Sequence, residues 1–294
     1  MRTFWFVIYN FIGIPVLWVF FKLYSIFNSK VREGFNGRRD LFSALDKSLS
    51  SFGKGKNILI HSSSLGEFQQ AIPLVEELRK KNYNVVLSFF SPSGYKNSKL
   101  TISNTAKIYI PFDTLSNQKK FLDAIDPEII IFMRYDLWYN LLYAAKKRGI
   151  NTVLANARYD EKDFTWNIPI VSSFKKTLYG MIDTIFVIDD YDDINYKKKL
   201  SKQNVNIIKI GDSKFERVYQ SAKRILPNDF IPEKIIKDKK IFVIGSSWKD
   251  DEDVILPAID KSLEFDKDLL TLIVPHEPKE TKIFALEKTI ENKY

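Results

Sequence analysis

The sequence predicts an α/β protein with a doubly wound parallel sheet and a second, shorter α/β series behind it. Three observations carry this. Seven short, apolar and β-rich runs occur between Asn57 and Ile210. Amphipathic helical stretches separate most of them, a pattern that calls for parallel strands covered on both faces. Polar turns rich in Ser, Gly, Asn or Asp come directly after strands, where an open sheet of this kind collects ligands.

Taken in order, the chain begins with Thr3–Phe21, which carries no charge and is rich in Phe, Trp, Ile and Val. With Leu23–Phe27 it reaches the length that crosses or enters a bilayer. Trp5, Tyr9, Trp18 and Tyr24 suit the interfaces. Lys22, Lys30, Arg32, Arg38 and Arg39 come after it, against Arg2 and the amino terminus before it, which places the rest of the chain in the cytoplasm. No small-residue cleavage site is found behind it, so a retained anchor is expected rather than a removable signal. Asn10 and Pro15 interrupt a clean span, so a helix lying partly in one leaflet stays open, as does a buried core helix. Lys30–Ser51, basic and polar, reads as a juxtamembrane connector able to meet lipid phosphates or as a solvated linker.

The strands are expected at Asn57–Ile60, Val85–Phe89, Lys107–Ile110, Glu128–Phe132, Thr152–Ala155, Thr184–Ile188 and Val205–Ile210. Helical stretches include Gln70–Lys80, Asn117–Ala124 and Leu137–Lys147. Arg224–Lys239, polar and Pro-containing, reads as an interdomain region. Beyond it Lys240–Ile244 and Leu270–Val274 are strands, and Asp251–Ser262 and Thr281–Asn292 are helices. Two strands are fewer than a doubly wound domain of ordinary size needs, so the second domain is expected to be truncated in this chain or very small. The division is a membrane-anchor helix over 1–29, an N-terminal domain over 30–218 and a partial C-terminal domain over 219–294.

A chain of 294 residues suggests roughly two domains. Hydrophobic and charged contents of 45% and 28% exclude a disordered chain. The absence of cysteine excludes disulfides, thiolate zinc sites and thiol nucleophiles. Only His61 and His276 are present, which argues against a histidine-rich metal site. A net charge of +9 fits an anionic partner, either lipid or phosphorylated substrate. No nucleic-acid-binding signature is present, so nucleic acid is not expected as a partner. Dinucleotide and P-loop glycine patterns are also missing.

The stretch with most chemistry is Ile60-His61-Ser62-Ser63-Ser64-Leu65-Gly66-Glu67-Phe68, where a strand gives way to a helix. It offers hydroxyls, the N–H groups of a helix start and one carboxylate, Glu67. Ser64-x-x-Glu67 is equally a capping box, in which Glu67 only reaches back to the cap. Further strand-end candidates are Ser91–Gly94, Arg134–Asp136, Asn156–Arg158, Gly211–Lys214, Gly245–Ser247 and Pro275-His276. Asp190-Tyr191-Asp192 resembles a metal-binding Asp-x-Asp, but acids are also favoured in a first helical turn.

These residues resemble, in order, the motifs of the 3-deoxy-D-manno-octulosonic acid (Kdo) transferases of lipopolysaccharide assembly. His61–Glu67 is similar to H-A-x-S-x-G-E, Ser91–Gly94 to T-P-T-G, and Ile110–Asp113 to L-P-x-D. Leu137–Asn140 is similar to L-W-P-N, Asn156–Arg158 matches N-A-R, and Gly211–Phe215 resembles G-[NSD]-x-K-F. In the second domain Gly245–Ser247 is similar to G-S-T and Val274–His276 to V-P-R.

The resemblance implies a GT-B fold of two Rossmann-like domains, the first binding acceptor and the second nucleotide sugar. It implies inverting transfer of Kdo from CMP-Kdo to a lipid A precursor at the cytoplasmic face of the inner membrane, beside anionic lipids, with no metal and no cofactor. Glu67 falls on the family's catalytic base and Lys214 on its stabilising lysine, with Arg134 and Asp136 beside them. Acceptor contacts are expected from Ser64, Gly66, Arg38, Arg39, Asn156 and Arg158, and donor contacts from Ser246, Ser247, Pro275 and His276. The chain departs from the family at Arg134, where a carboxylate is usual, and at His276, where an arginine is usual. The family's later donor motifs do not occur before Tyr294. The alternatives are a different or metal-dependent glycosyltransferase and a non-catalytic, membrane-attached glycolipid-binding protein.

Overall fold

The computed structural model describes residues 2–98, 104–224 and 231–293. The chain divides into two compact units, Met1–Gln220 and Ser221–Tyr294. The first holds a seven-stranded parallel sheet: β1 Asn57–Ser62, β2 Asn84–Phe89, β3 Thr105–Tyr109, β4 Pro127–Met133, β5 Asn151–Ala157, β6 Thr184–Val187 and β7 Asn206–Lys209. Its spatial order is β3-β2-β1-β4-β5-β6-β7. All seven expected strands form. The order reverses between β1 and β4, and the crevice beyond the carboxyl ends of these two strands is the switch point at which such sheets bind ligands.

Both sheet faces are covered, as the unbroken apolar runs demand. Successive side chains alternate across a strand, so Ile58 and Ile60 enter one apolar cluster and Leu59 the other. Helix Leu65–Lys80 buries Phe68, Ala71, Ile72 and Val75 against one face. Helices Leu115–Ile125 and Tyr139–Lys147 bury Phe121, Leu122, Leu141 and Leu142 against the other.

The N-terminal helix, Arg2–Phe27, is long and apolar enough to cross a membrane, and a π-helical turn, Tyr9–Gly13, interrupts it. Its first half is bonded into the first unit. Trp5 is buried and donates to Ser173 Oγ at 3.1 Å. Tyr139 Oη donates to the Arg2 carbonyl at 2.9 Å, and the side-chain amides of Asn10 and Asn140 exchange two hydrogen bonds. The opposite side leaves Phe11, Ile12, Val16, Val19, Phe20 and Leu23 exposed. The segment Lys30–Ser51 is not a connector. It folds into helices Ser29–Asn36 and Leu41–Leu49, and Leu41 and Leu45 are buried in the core. The apolar pair at i and i+4 outweighs the basic composition.

Of the expected interdomain region, residues 225–230 lie outside the described residues, and Glu233–Ile236 is a short helix. The second unit pairs β8, Lys240–Ser247, with β9, Leu269–Pro275, in parallel. Helices Lys249–Phe265 and Glu280–Lys293 come after these strands. Ile241, Phe242, Val243 and Val274 are exposed within it.

Candidate active site

The site in the first unit starts where β1 ends. Ser64 caps helix Leu65–Lys80, its hydroxyl accepting from Glu67 N at 3.4 Å. Glu67 Oε2 reaches back and accepts from Ser63 N at 2.5 Å, one residue before the cap. The capping arrangement therefore exists, but it occupies Oε2, and Oε1 has no side-chain partner among the described residues. Burial raises the Glu67 pKa first, and the Asp136 charge adds to this. The Ser63 and Ser64 N–H groups and His61 act the other way, and the net direction is upward. A carboxylate so placed is a stronger base than an exposed one. Beside it the Ser62 and Ser63 hydroxyls are buried without a hydrogen-bond partner among the described residues.

Asp136, after β4, meets β1 through His61. The imidazole is fully buried, with Nδ1 2.9 Å from Ser88 Oγ on β2 and Nε2 3.2 Å from Asp136 Oδ2. Trp138 donates its indole N–H to the same Nε2 at 3.0 Å. An indole only donates, so Nε2 offers its lone pair and Nδ1 carries the proton toward Ser88. His61 thus ties the end of β1 to Ser88 on β2 and to Trp138 after β4, while Asp136 Oδ2 lies beside the ring without a proton from it.

Arg134 goes elsewhere. Its backbone is left-handed, φ +66°, with its N–H on the Ala155 carbonyl at 2.9 Å. Its side chain lines an open pocket of about 580 Å³ with Arg158, Tyr159, Asp189 and Asp192. Neither Glu67 nor Asp136 lines that pocket. Arg134 Nε is buried there without a partner among the described residues.

Lys214 stands in the first turn of helix Ser213–Arg224, after β7, with its side chain exposed and its N–H on Asp212 Oδ1 at 2.8 Å. Its position relative to Glu67 is set by Asn156. That residue is buried at φ +55°, a conformation asparagine tolerates. Its Nδ2 donates to Gln70 Oε1 at 3.0 Å and to Ser213 Oγ at 2.5 Å, and Ser213 Oγ donates to the Gln70 carbonyl at 2.8 Å. Gln70 lies on the Glu67 helix, so Asn156 clamps the base's helix to the lysine's. Asn156 is therefore occupied with protein partners, whereas Arg158 is exposed.

Gly66 is exposed and leaves the first helical turn unshielded, since a Cβ there would meet only Ser64 Oγ at 3.9 Å. Gly94 is different. A Cβ there would lie 2.9 Å from the Phe89 ring and 3.2 Å from the Ser64 carbonyl carbon. The turn after β2 packs directly on the cap, and Ser91 N donates to the Ser63 carbonyl at 3.1 Å.

Arg38, expected to meet acceptor, has its fork occupied by backbone. Nε donates to the Ile110 carbonyl at 2.8 Å, Nη1 to Gly34 at 2.7 Å and Nη2 to Phe90 at 2.8 Å. It lies over the Phe90 and Tyr109 rings, and burial pulls its pKa down to about 10. Arg39 is exposed.

Asp113 and Asn140, from the L-P-x-D and L-W-P-N stretches, form scaffold. Asp113 is fully buried and accepts from Asn140 N at 2.9 Å, Leu141 N at 3.1 Å and Tyr9 Oη at 2.8 Å. Burial pushes its carboxyl up to about 7 against these hydrogen bonds. Reading by spacing misses the roles of His61, Trp138 and Asp113, because their partners lie far away in sequence. The one local signal is a polar residue placed at the end of an apolar strand.

In the second unit Ser246, at φ +65°, sits 2.7 Å from His276 Nδ1 through its Oγ. His276 N donates to the Ser247 carbonyl at 2.9 Å, and Ser247 Oγ donates to Glu252 at 2.9 Å. Trp248, not anticipated from sequence, stacks on the His276 ring at 4.2 Å. Pro275 ends β9 and, with Ser247, Trp248 and His276, lines a pocket of about 240 Å³. The Asp-x-Asp carboxylates are engaged elsewhere. Asp190 pairs with Lys209 at 2.5 Å, and Asp192 accepts from Tyr159 N at 2.7 Å. No cluster of three metal-ligating side chains occurs among the described residues.

Comparison with known proteins points the same way. A 3-deoxy-D-manno-octulosonic acid transferase of Haemophilus influenzae is 25% identical over 278 residues, covering 92% of this chain and 62% of its own. The transferase of that name from Rickettsia typhi is 24% identical, covering 76% and 48%. The chain thus spans less than two thirds of either relative. Among solved structures, UDP-GlcNAc 2-epimerase from Neisseria meningitidis bound to UDP-GlcNAc has a TM-score of 0.56 at 12% identity, over 81% of this chain and 70% of that one. That likeness concerns the fold alone, and the fold is of the GT-B class. The family model for 3-deoxy-D-manno-octulosonic-acid transferase (kdotransferase) matches residues 35–217, from the clamp of Arg38 through Glu67 to Lys214, and the chain belongs to that family.

Proposed function

We propose that this chain serves the transfer of Kdo from CMP-Kdo to a lipid A precursor, with Glu67 as general base. The observation that carries this is the division of labour on Glu67: Oε2 holds the helix cap, and Oε1 has no side-chain partner among the described residues, in a setting that raises the carboxylate's proton affinity. Oε1 removes the proton from the acceptor hydroxyl as that oxygen bonds to the sugar carbon. The bond from that carbon to CMP breaks through an oxocarbenium-like state, and CMP departs with its phosphate. Lys214 stabilises the departing phosphate, and Ser246, Ser247 and His276 contact the donor. Asp136, whose charge acts on Glu67, supports the developing positive charge. Arg39 and Arg158 meet acceptor phosphate, and Ser64 and Gly66 contact the acceptor beside the base.

The enzyme works on the cytoplasmic face of the inner membrane among anionic lipids. The N-terminal helix lies in one leaflet rather than across both, because its first half is hydrogen-bonded to the first unit. The test is incubation of membranes carrying the chain with CMP-Kdo and a lipid A precursor, read by mass spectrometry. Kdo-lipid is expected, and Glu67→Gln should lower its formation about a hundredfold or more. Full activity in Glu67→Gln would overturn the base assignment.

A second reading is a non-catalytic glycolipid-binding protein. It is favoured by Arg134, which stands where the family usually has a carboxylate and lines a pocket with Arg158. Lipid binding with no release of CMP would select it.

A further inference from the structure

We propose that the cavity under the N-terminal helix binds one acyl chain of a phosphate-bearing lipid, with the phosphate resting on Lys30 and Arg39. This rests on the reading that the first unit receives a lipid acceptor, and it adds that the lipid tail enters the protein. The cavity measures about 500 Å³, within the range of small-ligand sites. Its apolar wall comes from three places: Trp18 and Phe21 on the N-terminal helix, Phe35 and Phe42 on the two helices after it, and Phe90 and Phe112 after β2 and β3.

The polar groups in the wall have partners inside the protein. Ser91 Oγ accepts from Gly94 N at 3.1 Å and lies 3.2 Å from Ser93 Oγ. Asn117 Nδ2 donates to the Phe112 carbonyl at 3.1 Å, and the Arg38 fork is held by three carbonyls. A sugar entering here would lose water and find few partners, whereas a methylene chain loses nothing of that kind. Lys30 and Arg39 are exposed at the cavity, have no carboxylate partner among the described residues, and no Asp or Glu lines it. Two uncompensated cations over an apolar chamber match a phosphate above a tail.

The entrance and exit agree with this. Trp18 is half exposed, next to the exposed Val16, Val19 and Phe20 of the same helix, so a tail can pass from the apolar outer face inward. At the inner end Ser91 N holds the Ser63 carbonyl and Ser63 N holds Glu67. The tail's inner end thus reaches the turn that packs on the Glu67 cap, while the phosphate stays at Lys30 and Arg39.

The experiment uses the full chain in detergent with phosphatidic acid carrying a photoactivatable diazirine near the end of one acyl chain. Crosslinks are mapped by peptide mass spectrometry, with diacylglycerol bearing the same chain as the uncharged arm. Crosslinks are expected within residues 31–42, 90–93 and 111–117, and each methylene added, up to the length of the chamber, should tighten binding about fourfold. Val31→Trp fills the chamber and should reduce these crosslinks at least tenfold. The double variant Lys30→Glu/Arg39→Glu alters exposed residues only, and should weaken the phosphatidic acid arm while leaving the diacylglycerol arm unchanged.

Crosslinks confined to residues 16–27, or unchanged in Val31→Trp, overturn the proposal, as does equal labelling by both lipids. Circular dichroism of each variant separates lost binding from lost folding. Kdo transfer that persists while the crosslinks fail leaves the transfer reading standing. Crosslinks that persist without transfer overturn that reading alone.

Discussion

Replacing Asp113 by Asn should abolish a large pH dependence of stability. The carboxyl is fully buried, and its pKa rises from 3.8 to about 7 because burial opposes the charged form more strongly than its hydrogen bonds favour it. A group whose pKa is raised on folding stabilises the fold below its unfolded value, and that contribution is lost as pH climbs to the folded value. The window is therefore pH 3.8 to about 7. At about 1.4 kcal/mol per pH unit, the contribution lost across it is about 4 kcal/mol. Asparagine is uncharged throughout and removes this term. It still accepts from Asn140 N and Tyr9 Oη through one oxygen but turns its amide toward Leu141 N, a mismatch costing about 1–3 kcal/mol at every pH. The assay is urea unfolding of detergent-solubilised chain at a series of pH values, comparing variant with wild type so that other titrating groups cancel. The variant should be less stable at pH 4 and should overtake wild type toward pH 8. Curves that run parallel across the window would refute the reasoning.

Other outcomes can be checked alongside. The transfer rate should fall with acidification through a value above the ordinary carboxylate range, because the Glu67 pKa is raised; a rate flat down to pH 4 would contradict this. Asn156→Ala unclamps Ser213 from Gln70 and should cost about 1–3 kcal/mol in unfolding, with a fall in kcat larger than any change in KM for CMP-Kdo. Gly94→Ala forces its methyl into Phe89 and the Ser64 carbonyl and should cost about 1–3 kcal/mol, read as a lowered Tm. Trp138→Phe deletes the donor to His61 and should cost about 1 kcal/mol, with the His61 imidazole resonances shifted in NMR.

The features legible in the sequence are those set by local physics. The central strands of the first sheet show because a strand buried on both faces must be apolar throughout, as Val85 to Leu87 are. The Ser64–Glu67 junction shows because a helix start needs a cap within four residues. Both readings of Glu67, cap and base, are present in the sequence, but whether a carboxylate caps or catalyses depends on how each oxygen is engaged, and spacing says nothing of that. Arg38 reads as a surface cation until Gly34, Phe90 and Ile110 bring their carbonyls to it, and these are assembled only by tertiary folding. Arg134 and Asp136 are two residues apart, yet Arg134 lines the pocket of Arg158 and Asp136 does not, a split that sequence spacing does not carry. The segment 30–51 looked like a polar connector because its cations outnumber the two leucines that seat it in the core.

The bonds of the N-terminal helix set an order of events. Its partners are Asp113, Asn140 and Ser173, at sequence separations of 104, 130 and 168 residues. The helix leaves the ribosome before these partners, and its seat is complete only after strands β1 to β5 exist. Docking is thus a late, long-range step, of the kind that loop closure makes slow. Until then a largely apolar helix of 26 residues has no protein surface to cover it, and a bilayer is the solvent at hand. On the membrane location proposed above, the nascent chain should contact the bilayer before its sheet is complete.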